Sequence, residues 1–430
     1  MKKIVVLGKG GRQSSVVWKL SQSPEIDTIF FIPGMPGIIK NEKVQCVNIP
    51  PIDFDAIAKF CKGYGVDYVV TGDSELLAAG VVDHLRNNNI AVFGPTKRAS
   101  LLESSKTYAK EFMKKYNIPT VDYISFNDSQ AALHYIDSRE EGPVVVKADG
   151  LVHGRGVTVA QSKQEAKDAL RVMMEEGSFG EQGLQVVVED FIEGPEVSLH
   201  VITDGDTYKI FPLAQDHKPL YDGNKGPNTG GMGTYAPVNW VSQSLLEEIE
   251  NNIIVPTLNG LKNEGINYTG LLFPGLMLTK SGPMVLEYNT RFGAPETQSF
   301  MMLLDSDLDQ IFTLVINQKL CDSNIEWKQG YAATIEVVSG NYPDSLESEY
   351  EGITITDSDF IGQYFFTGAA LIDNELVSTG GKVVSVSSYS PNGLQEALDQ
   401  AYLGVSHVIF DGRQYRSDIG RLNNIIPERS

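Results

Sequence analysis

Cysteine is scarce in this chain: 430 residues contain three, Cys46, Cys61 and Cys321, an odd number without metal-ligand spacing. No disulfide framework or thiolate zinc centre can organise such a molecule, and each cysteine reads as a small buried hydrophobe. Basic charge is also short, with 35 Lys+Arg against 55 Asp+Glu and a formal net charge of −20. That balance argues against sequence-independent nucleic-acid binding, which gains its affinity by neutralising phosphates, and leaves local basic clusters to serve small anions. No apolar run reaches the roughly 18 residues that suggest a membrane-spanning helix. The run Ile4-Val5-Val6-Leu7-Gly8 that follows Met1-Lys2-Lys3 is too short for a signal-peptide core and reads as a first strand. Internal repeats and disordered linkers are missing too. The expectation is a cytoplasmic protein of two or three domains with free thiols and with neither nucleic acid nor membrane as partner.

What is present begins with alternation. Apolar strand runs at residues 3–7, 28–32, 68–71 and 91–93 are separated by amphipathic stretches such as 54–63. This pattern predicts an open parallel sheet with ligands at the carboxyl ends of its strands. The first such end carries Gly8-Lys9-Gly10-Gly11-Arg12-Gln13-Ser14. Gln13 stands where a dinucleotide fingerprint wants its third glycine, so the better use is a backbone amide nest for one phosphate or a polar ribose. The second end, Pro33-Gly34-Met35-Pro36-Gly37, either presents backbone to a ligand or makes a plain turn.

A helix is predicted over residues 98–116, then a strand ending in Lys147 within Val144-Val145-Val146-Lys147-Ala148-Asp149-Gly150. The loop His153-Gly154-Arg155-Gly156 precedes a strand at 157–160 and serves either as a phosphate cradle or as a tight hairpin. A strand at 185–189 leads into Asp190-Phe191-Ile192-Glu193-Gly194-Pro195-Glu196. Gly226-Pro227-Asn228-Thr229-Gly230-Gly231-Met232-Gly233 is too glycine-rich for an ordinary helix or strand interior. It is a long structural turn or a loop moulded against a ligand. Strands at 332–338, 352–356, 364–366 and 381–386, a helix at 392–408 and a polar tail form an α+β appendage.

The chemistry concentrates at Glu287-Tyr288-Asn289-Thr290-Arg291-Phe292-Gly293, which follows an apolar strand run. Alternation on a strand puts Glu287, Asn289 and Arg291 on one face. A carboxylate and an amide oxygen suit Mg²⁺ or Mn²⁺ shared with phosphates, and a guanidinium beside them neutralises a transferring phosphoryl group. A solvated edge strand is the plainer alternative. Lys106 and Lys147 are suited to phosphates as point charges, and Lys147 in its apolar run calls for an anionic partner. Residues 189–192, including Glu189, Phe191 and Ile192, offer backbone groups to adenine, and Glu196 is spaced to accept from ribose hydroxyls. Together these make an ATP–Mg²⁺ site. His217 reads as a partner of Asp216 and Lys218, while His153 and His200 read as structural.

The chain resembles the ATP-grasp superfamily and, within it, the phosphoribosylamine–glycine ligases, also called glycinamide ribonucleotide synthetases. Ordered matches run from residue 1 to about 421: Gly10-Gly11-Arg12, Phe93-Gly94-Pro95-Thr96-Lys97, Leu102-Glu103-Ser104-Ser105-Lys106, Val146-Lys147-Ala148-Asp149-Gly150-Leu151, Gln215-Asp216-His217-Lys218, residues 226–233, Glu287-Tyr288-Asn289, Arg291-Phe292-Gly293, Pro295-Glu296-Thr297-Gln298 and Tyr415-Arg416-Ser417-Asp418-Ile419-Gly420. The resemblance implies α/β and α+β multidomain architecture: an N-terminal Rossmann-like domain (1–103), a central ATP-grasp fold (104–325) with a mobile lid at about 120–190, and a C-terminal strand-rich domain (326–430). It implies ATP and Mg²⁺ or Mn²⁺ as cofactors, small-molecule carboxylate and amine substrates, and a monomer or weak homodimer. Catalysis falls to Arg291, Lys147 and Arg155, with Gly154 and Gly156 in the lid loop. Substrate contacts fall to Gly10, Gly11, Arg12, Asp216, Lys218, Asn228, Thr229, Gly230, Met232 and Glu296.

The sequence departs from the family pattern away from the nucleotide. Gln13-Ser14-Ser15 replaces Glu-His-Ala, Gly72-Asp73-Ser74-Glu75-Leu76-Leu77 replaces Gly-Pro-Glu-x-Pro-Leu, Ala294 replaces an aspartate, Phe366-Thr367-Gly368-Ala369 replaces His-Ala-Gly-Thr, and Arg155 replaces a lysine. Three readings stand: the purine-pathway ligase, a paralogue joining another acid and amine, and a nucleotide-binding protein without catalysis. The complete set Glu287, Asn289, Arg291, Lys106 and Lys147 favours an enzyme.

Overall fold

The computed structural model describes residues 1–152, 156–347, 350–356 and 359–421. Its N-terminal unit is a five-stranded parallel sheet ordered Val44–Cys46, Ile26–Pro33, Lys2–Gly8, Tyr68–Val70, Val92–Phe93. Helices cover both faces of a parallel sheet, so its strands read as unbroken apolar runs rather than alternation. Ile4, Val5, Val6 and Leu7 are accordingly all buried, divided between two hydrophobic clusters on opposite faces.

A separate antiparallel sheet follows, ordered Tyr123–Phe126, Val186–Asp190, Val144–Ala148, Val157–Ala160. The helices Ser129–Ser138 and Lys163–Met174 pack against it through their own small core around Ile136, Val146 and Leu170. Asp128 and Ser162 cap these helices by accepting from Ala131 N–H and Glu165 N–H. The strands Val144–Ala148 and Val157–Ala160 pair as a hairpin, as the glycines between them allowed. His153, Gly154 and Arg155 lie outside the described residues.

The third sheet carries the chemical strand Gly282–Asn289, paired with the long strand Gly270–Thr279, which also pairs with Glu196–Ser198 and Val201–Thr203. The fourth sheet is ordered Gln215–Asp216, Gly233–Ala236, Tyr331–Val338, Lys382–Ser390, Gly362–Phe366. Two of its five strands come from before residue 326, so the C-terminal segment completes a sheet that earlier residues begin.

Several expectations change in detail. The helix expected over 98–116 is two helices, Leu101–Ser104 and Lys106–Lys115, separated by an extended Ser105. The strand expected at 352–356 is two short pieces, Glu351–Gly352 and Thr354–Ile355, and the strands Ala369–Ile372 and Glu375–Ser378 were not foreseen. Of the cysteines, Cys61 is buried, Cys46 is half-buried and Cys321 is exposed. Among the described residues no helix is long and apolar enough to cross a membrane.

Candidate active site

A cleft of about 620 Å³ runs between the sheet that carries Val144–Ala148 and Val186–Asp190, the strand Gly282–Asn289 and the fourth sheet, a size suited to a nucleotide or small substrate. Seventeen of the residues singled out from sequence line it: Arg12, Lys106, Lys147, Gly156, Glu189, Phe191, Ile192, Glu196, Asp216, Lys218, Asn228, Thr229, Gly230, Glu287, Asn289, Arg291 and Glu296. Gly10, Gly11 and Met232 do not, and Gly154 and Arg155 lie outside the described residues.

On the wall that carries Lys106 and Lys147, the break in the helix is what aims Lys106. The Ser105 hydroxyl accepts from Tyr108 N–H at 3.1 Å and so caps the second helix, while the Asp149 carboxylate accepts from Thr107 N–H at 2.6 Å. Lys106 thus becomes the first residue of a new helix, its ammonium donating to Gly150 O at 3.0 Å. Burial lowers the Lys106 pKa, opposed by Glu287. Lys147 has the anionic partner its apolar setting required: its Nζ lies 2.8 Å from Glu189 Oε2 and donates to Leu286 O at 3.1 Å. The other carboxylate oxygen of Glu189 lies 3.1 Å from Lys110 Nζ. Lys110 was missed in the sequence, although its position four residues after Lys106 on one helix put it on the same face. Phe191, Ile192, Val145, Val159 and Leu286 supply apolar wall.

Glu287 sits among cations. Burial alone would raise its pKa, but Lys218, Lys147, Lys106 and Arg291 together hold it below the usual carboxylate value. Arg291 lies just past the strand end and is held at all three nitrogens: Nε donates to Ser74 Oγ at 2.8 Å and Glu103 Oε1 at 3.0 Å, Nη1 to Phe292 O at 3.1 Å, and Nη2 to Asn289 Oδ1 at 2.8 Å. These contacts fix the guanidinium and leave one N–H on each of Nη1 and Nη2. No group of three or more His, Cys, Asp or Glu side chains suited to a metal occurs among the described residues. A divalent ion at Glu287 and Asn289 would take the rest of its shell from phosphates and water, as Mg²⁺ commonly does. Asn289 Oδ1 keeps a second lone pair beside the one Arg291 uses, so the donor set fits.

Next to Glu287, carboxylates and lysines alternate along the wall: Asp216, Glu196 and Glu296 with Lys218 and Lys382. Glu296 is buried and accepts from Ser198 Oγ at 2.7 Å. Burial first, then the Glu296 charge, raises the Asp216 pKa well above its ordinary value. Glu196, expected at the ribose, is engaged by Lys218 at 2.9 Å. Burial works against the Lys218 charge, but Glu196 and Glu287 outweigh it and push its pKa up. Lys382, unforeseen, reaches in from the C-terminal sheet, lies 3.8 Å from the buried Glu336 and donates to Gly230 O. Residues 226–233 are both of the alternatives weighed for them. Lys225–Asn228 pairs with Pro219–Tyr221 as a hairpin, while Asn228, Thr229 and Gly230 face the cleft. Met232 is core instead, packed with Leu220, Val338 and Tyr342.

The amide nest at Gly10 and Gly11 is filled from within. Gly11 N–H donates to Thr367 Oγ1 at 2.7 Å, and a Cβ on Gly11 would meet Gln298 and Ser385 at 2.9 Å. These glycines serve close packing of the first helix on the C-terminal sheet. Arg12 does reach the cleft, donating to Phe292 O at 3.0 Å; burial, aided by the Arg291 charge, lowers its pKa to about 10. Of the departures, Asp73, Ser74, Glu75, Ala294 and Thr367 line the cleft, whereas Gln13 and Ser14 are buried and do not. His217 is structural: Nδ1–H donates to Gly233 O at 3.1 Å, Nε2 accepts from Gly420 N–H at 3.2 Å, and burial lowers its pKa to about 4. His200 stacks on Phe273 and accepts from Gly293 N–H at 3.0 Å, holding the turn after Arg291.

A parallel N-terminal sheet, followed by two antiparallel sheets that border a cleft of cations and hard oxygen donors, is the architecture of an ATP-grasp ligase. Three family models match in chain order: phosphoribosylglycinamide synthetase N domain over residues 2–103, ATP-grasp (A) domain over 104–297 and C domain over 332–422. The chain belongs to the phosphoribosylglycinamide synthetase family. It is 39% identical to the phosphoribosylamine–glycine ligase of Ralstonia nicotianae over 97% of this chain and 98% of that protein. It is 42% identical to the trifunctional purine biosynthetic protein adenosine-3 of Bos taurus over 97% of this chain, and spans 42% of that protein's length. The crystal structure of a Thermotoga maritima phosphoribosylamine–glycine ligase superposes with a TM-score of 0.79 at 31% identity, covering 97% of this chain and all 100% of that one. A biotin carboxylase domain from Hydrogenobacter thermophilus, at 14% identity and a TM-score of 0.74, shares the fold.

Proposed function

We propose that this chain joins glycine to phosphoribosylamine at the expense of ATP, forming glycinamide ribonucleotide, ADP and phosphate in purine biosynthesis. What supports this reading is the convergence of Lys106, Lys147, Glu287, Asn289 and Arg291 in one cleft with Asp216, Lys218 and Glu296, Lys218 lying 3.9 Å from Glu287. The glycine carboxylate oxygen attacks the γ-phosphorus, breaking its bond to the ADP oxygen and giving an acyl phosphate. The amine nitrogen then attacks the acyl carbon, expels phosphate and loses a proton towards the Asp216–Glu296 pair. Lys106, Lys147 and Arg291 offset charge on the transferring group, and the ties on Arg291 keep it in place without reorganisation. A Mg²⁺ or Mn²⁺ ion held by Glu287 and Asn289 would neutralise phosphate charge as a Lewis acid. Arg155 and Gly154 belong to this scheme as parts of the lid that shields the acyl phosphate from water. The surroundings are the cytoplasm, and the acting unit is a monomer or weak homodimer.

Ala294 in the cleft wall supports a second reading, a paralogous ligase for another acid and amine. ADP release with ATP, Mg²⁺, glycine and freshly generated phosphoribosylamine separates the two. The first reading expects turnover with this pair, lost in Glu287→Ala. Turnover only with a different acid and amine would replace it by the second.

A further inference from the structure

We propose that Lys110 is a positioning residue for the nucleotide phosphates, acting through Glu189 on Lys147. The inference rests on the nucleotide reading above and assigns a role to a buried cation that reading does not use. Lys110 projects from the helix Lys106–Lys115 and is 2% exposed. Its Nζ lies 3.1 Å from Glu189 Oε1 and donates to Thr120 Oγ1 at 2.8 Å. Thr120 in turn donates to Val285 O at 2.7 Å on the strand that carries Glu287. Glu189 belongs to the strand Val186–Asp190, so this one ammonium joins that sheet to the strand Gly282–Asn289.

The arithmetic of charge gives the role. Two buried ammoniums share one buried carboxylate, which leaves an excess positive charge that an arriving phosphate offsets. Lys147 has three N–H donors; Glu189 and Leu286 O take two, leaving one for the cleft. With Lys110 charged, the Glu189 charge is divided. Without it, the whole carboxylate charge bears on Lys147 and holds it back from phosphate. The effect requires a phosphate on the ligand and is absent for the nucleoside.

Calorimetric affinities for ADP and for adenosine test this in the wild type, Lys110→Gln, Glu189→Gln and the double variant. Lys110→Gln should weaken ADP by roughly tenfold, the order expected for an electrostatic change of one pKa unit, with adenosine little changed. Adding Glu189→Gln should recover much of that loss. Parallel loss of adenosine, or additive effects of the two substitutions, would overturn the proposal. If Lys110→Gln does not fold, the wild type carries the test through pH. Burial, opposed by Glu189 and reinforced by Lys147, lowers the Lys110 pKa to about 8; Asp122 also faces Lys110, whose Nζ lies 5.7 Å over the Tyr123 ring. ADP affinity should then fall between pH 7 and 9 while adenosine affinity holds; a flat ADP profile overturns the inference. Wild-type protein that binds neither ligand overturns the nucleotide reading and this inference with it, whereas adenosine loss in a binding-competent protein overturns this inference alone.

Discussion

Glu103 shows how a residue outside the expected set can govern one inside it. Its two carboxylate oxygens accept from Ser74 Oγ, Arg291 Nε, Thr290 N–H and Thr290 Oγ1. Glu103→Gln removes the charge that pairs with Arg291, and should lower turnover by at least about tenfold while lowering the melting temperature, because a half-buried guanidinium loses its counter-ion. Steady-state rates together with a thermal melt check both halves. Asp216 carries a prediction of opposite sign for stability. Its folded-state pKa is raised, chiefly by burial and then by Glu296. The native state therefore binds more protons than the unfolded chain from the ordinary aspartate value of about 3.9 up to the raised one, and stability falls as pH rises through that window. Asp216→Asn retains an oxygen for His217 N–H, which Asp216 Oδ1 accepts at 2.8 Å. The variant should melt higher than wild type at pH 7 and no higher near pH 3, while losing turnover. Melts at the two pH values decide it.

Among the elements, the break at Ser105 carries the most consequence, since it separates two helices that the hydrophobic pattern reads as one. Ser105→Ala removes the cap on the second helix and should cost about 1 kcal/mol of stability, measurable by denaturant titration, with a weaker ATP KM because Lys106 loses its fixed start. The break illustrates what sequence could convey. Strand runs such as Val144–Ala148 and Gly282–Asn289 were legible because apolar periodicity is local. That Lys106, Lys147, Glu287 and Arg291 share one cleft was legible because Lys147 lies in an apolar run where an unpaired ammonium is costly and Glu287 and Arg291 alternate along one strand. The filling of the Gly10–Gly11 nest by Thr367 was not, because that contact spans 356 residues. Nor were Lys110, Glu103 and Lys382, whose meaning depends on a partner brought in by tertiary structure. Met232 looked like part of a ligand loop and proved to be core, because a glycine-rich run does not reveal which of its side chains turns inward.

For the whole molecule, the fourth sheet decides whether the C-terminal segment is an appendage or a structural necessity. Gln215–Asp216 and Gly233–Ala236 are hydrogen-bonded in register into a sheet whose centre is Tyr331–Val338. One hydrophobic cluster runs from Phe112 and Tyr288 through Val337 and Val384 to Val405. The fully buried Arg416 binds Asp418 through two nitrogens at 2.7 and 2.8 Å and donates to Pro219 O at 3.0 Å, so residues 415–420 clamp the hairpin beside Asp216 and Lys218. Burial would raise the Asp418 pKa, but the Arg416 hydrogen bonds lower it, so the clamp contributes stability at neutral pH that is lost as pH falls through the folded-state value. A chain ending at residue 325 would expose the unpaired edge of Gly233–Ala236 and half of a shared core, which is the condition for aggregation rather than independent folding. The full chain should unfold in a single cooperative step, and the shortened one should give no melting transition and no nucleotide binding. A shortened chain that still melts cooperatively and binds ADP would show that the C-terminal segment only completes the cleft wall, through Lys382 and Thr367, and does not hold the wall of Lys106 and Lys147 together.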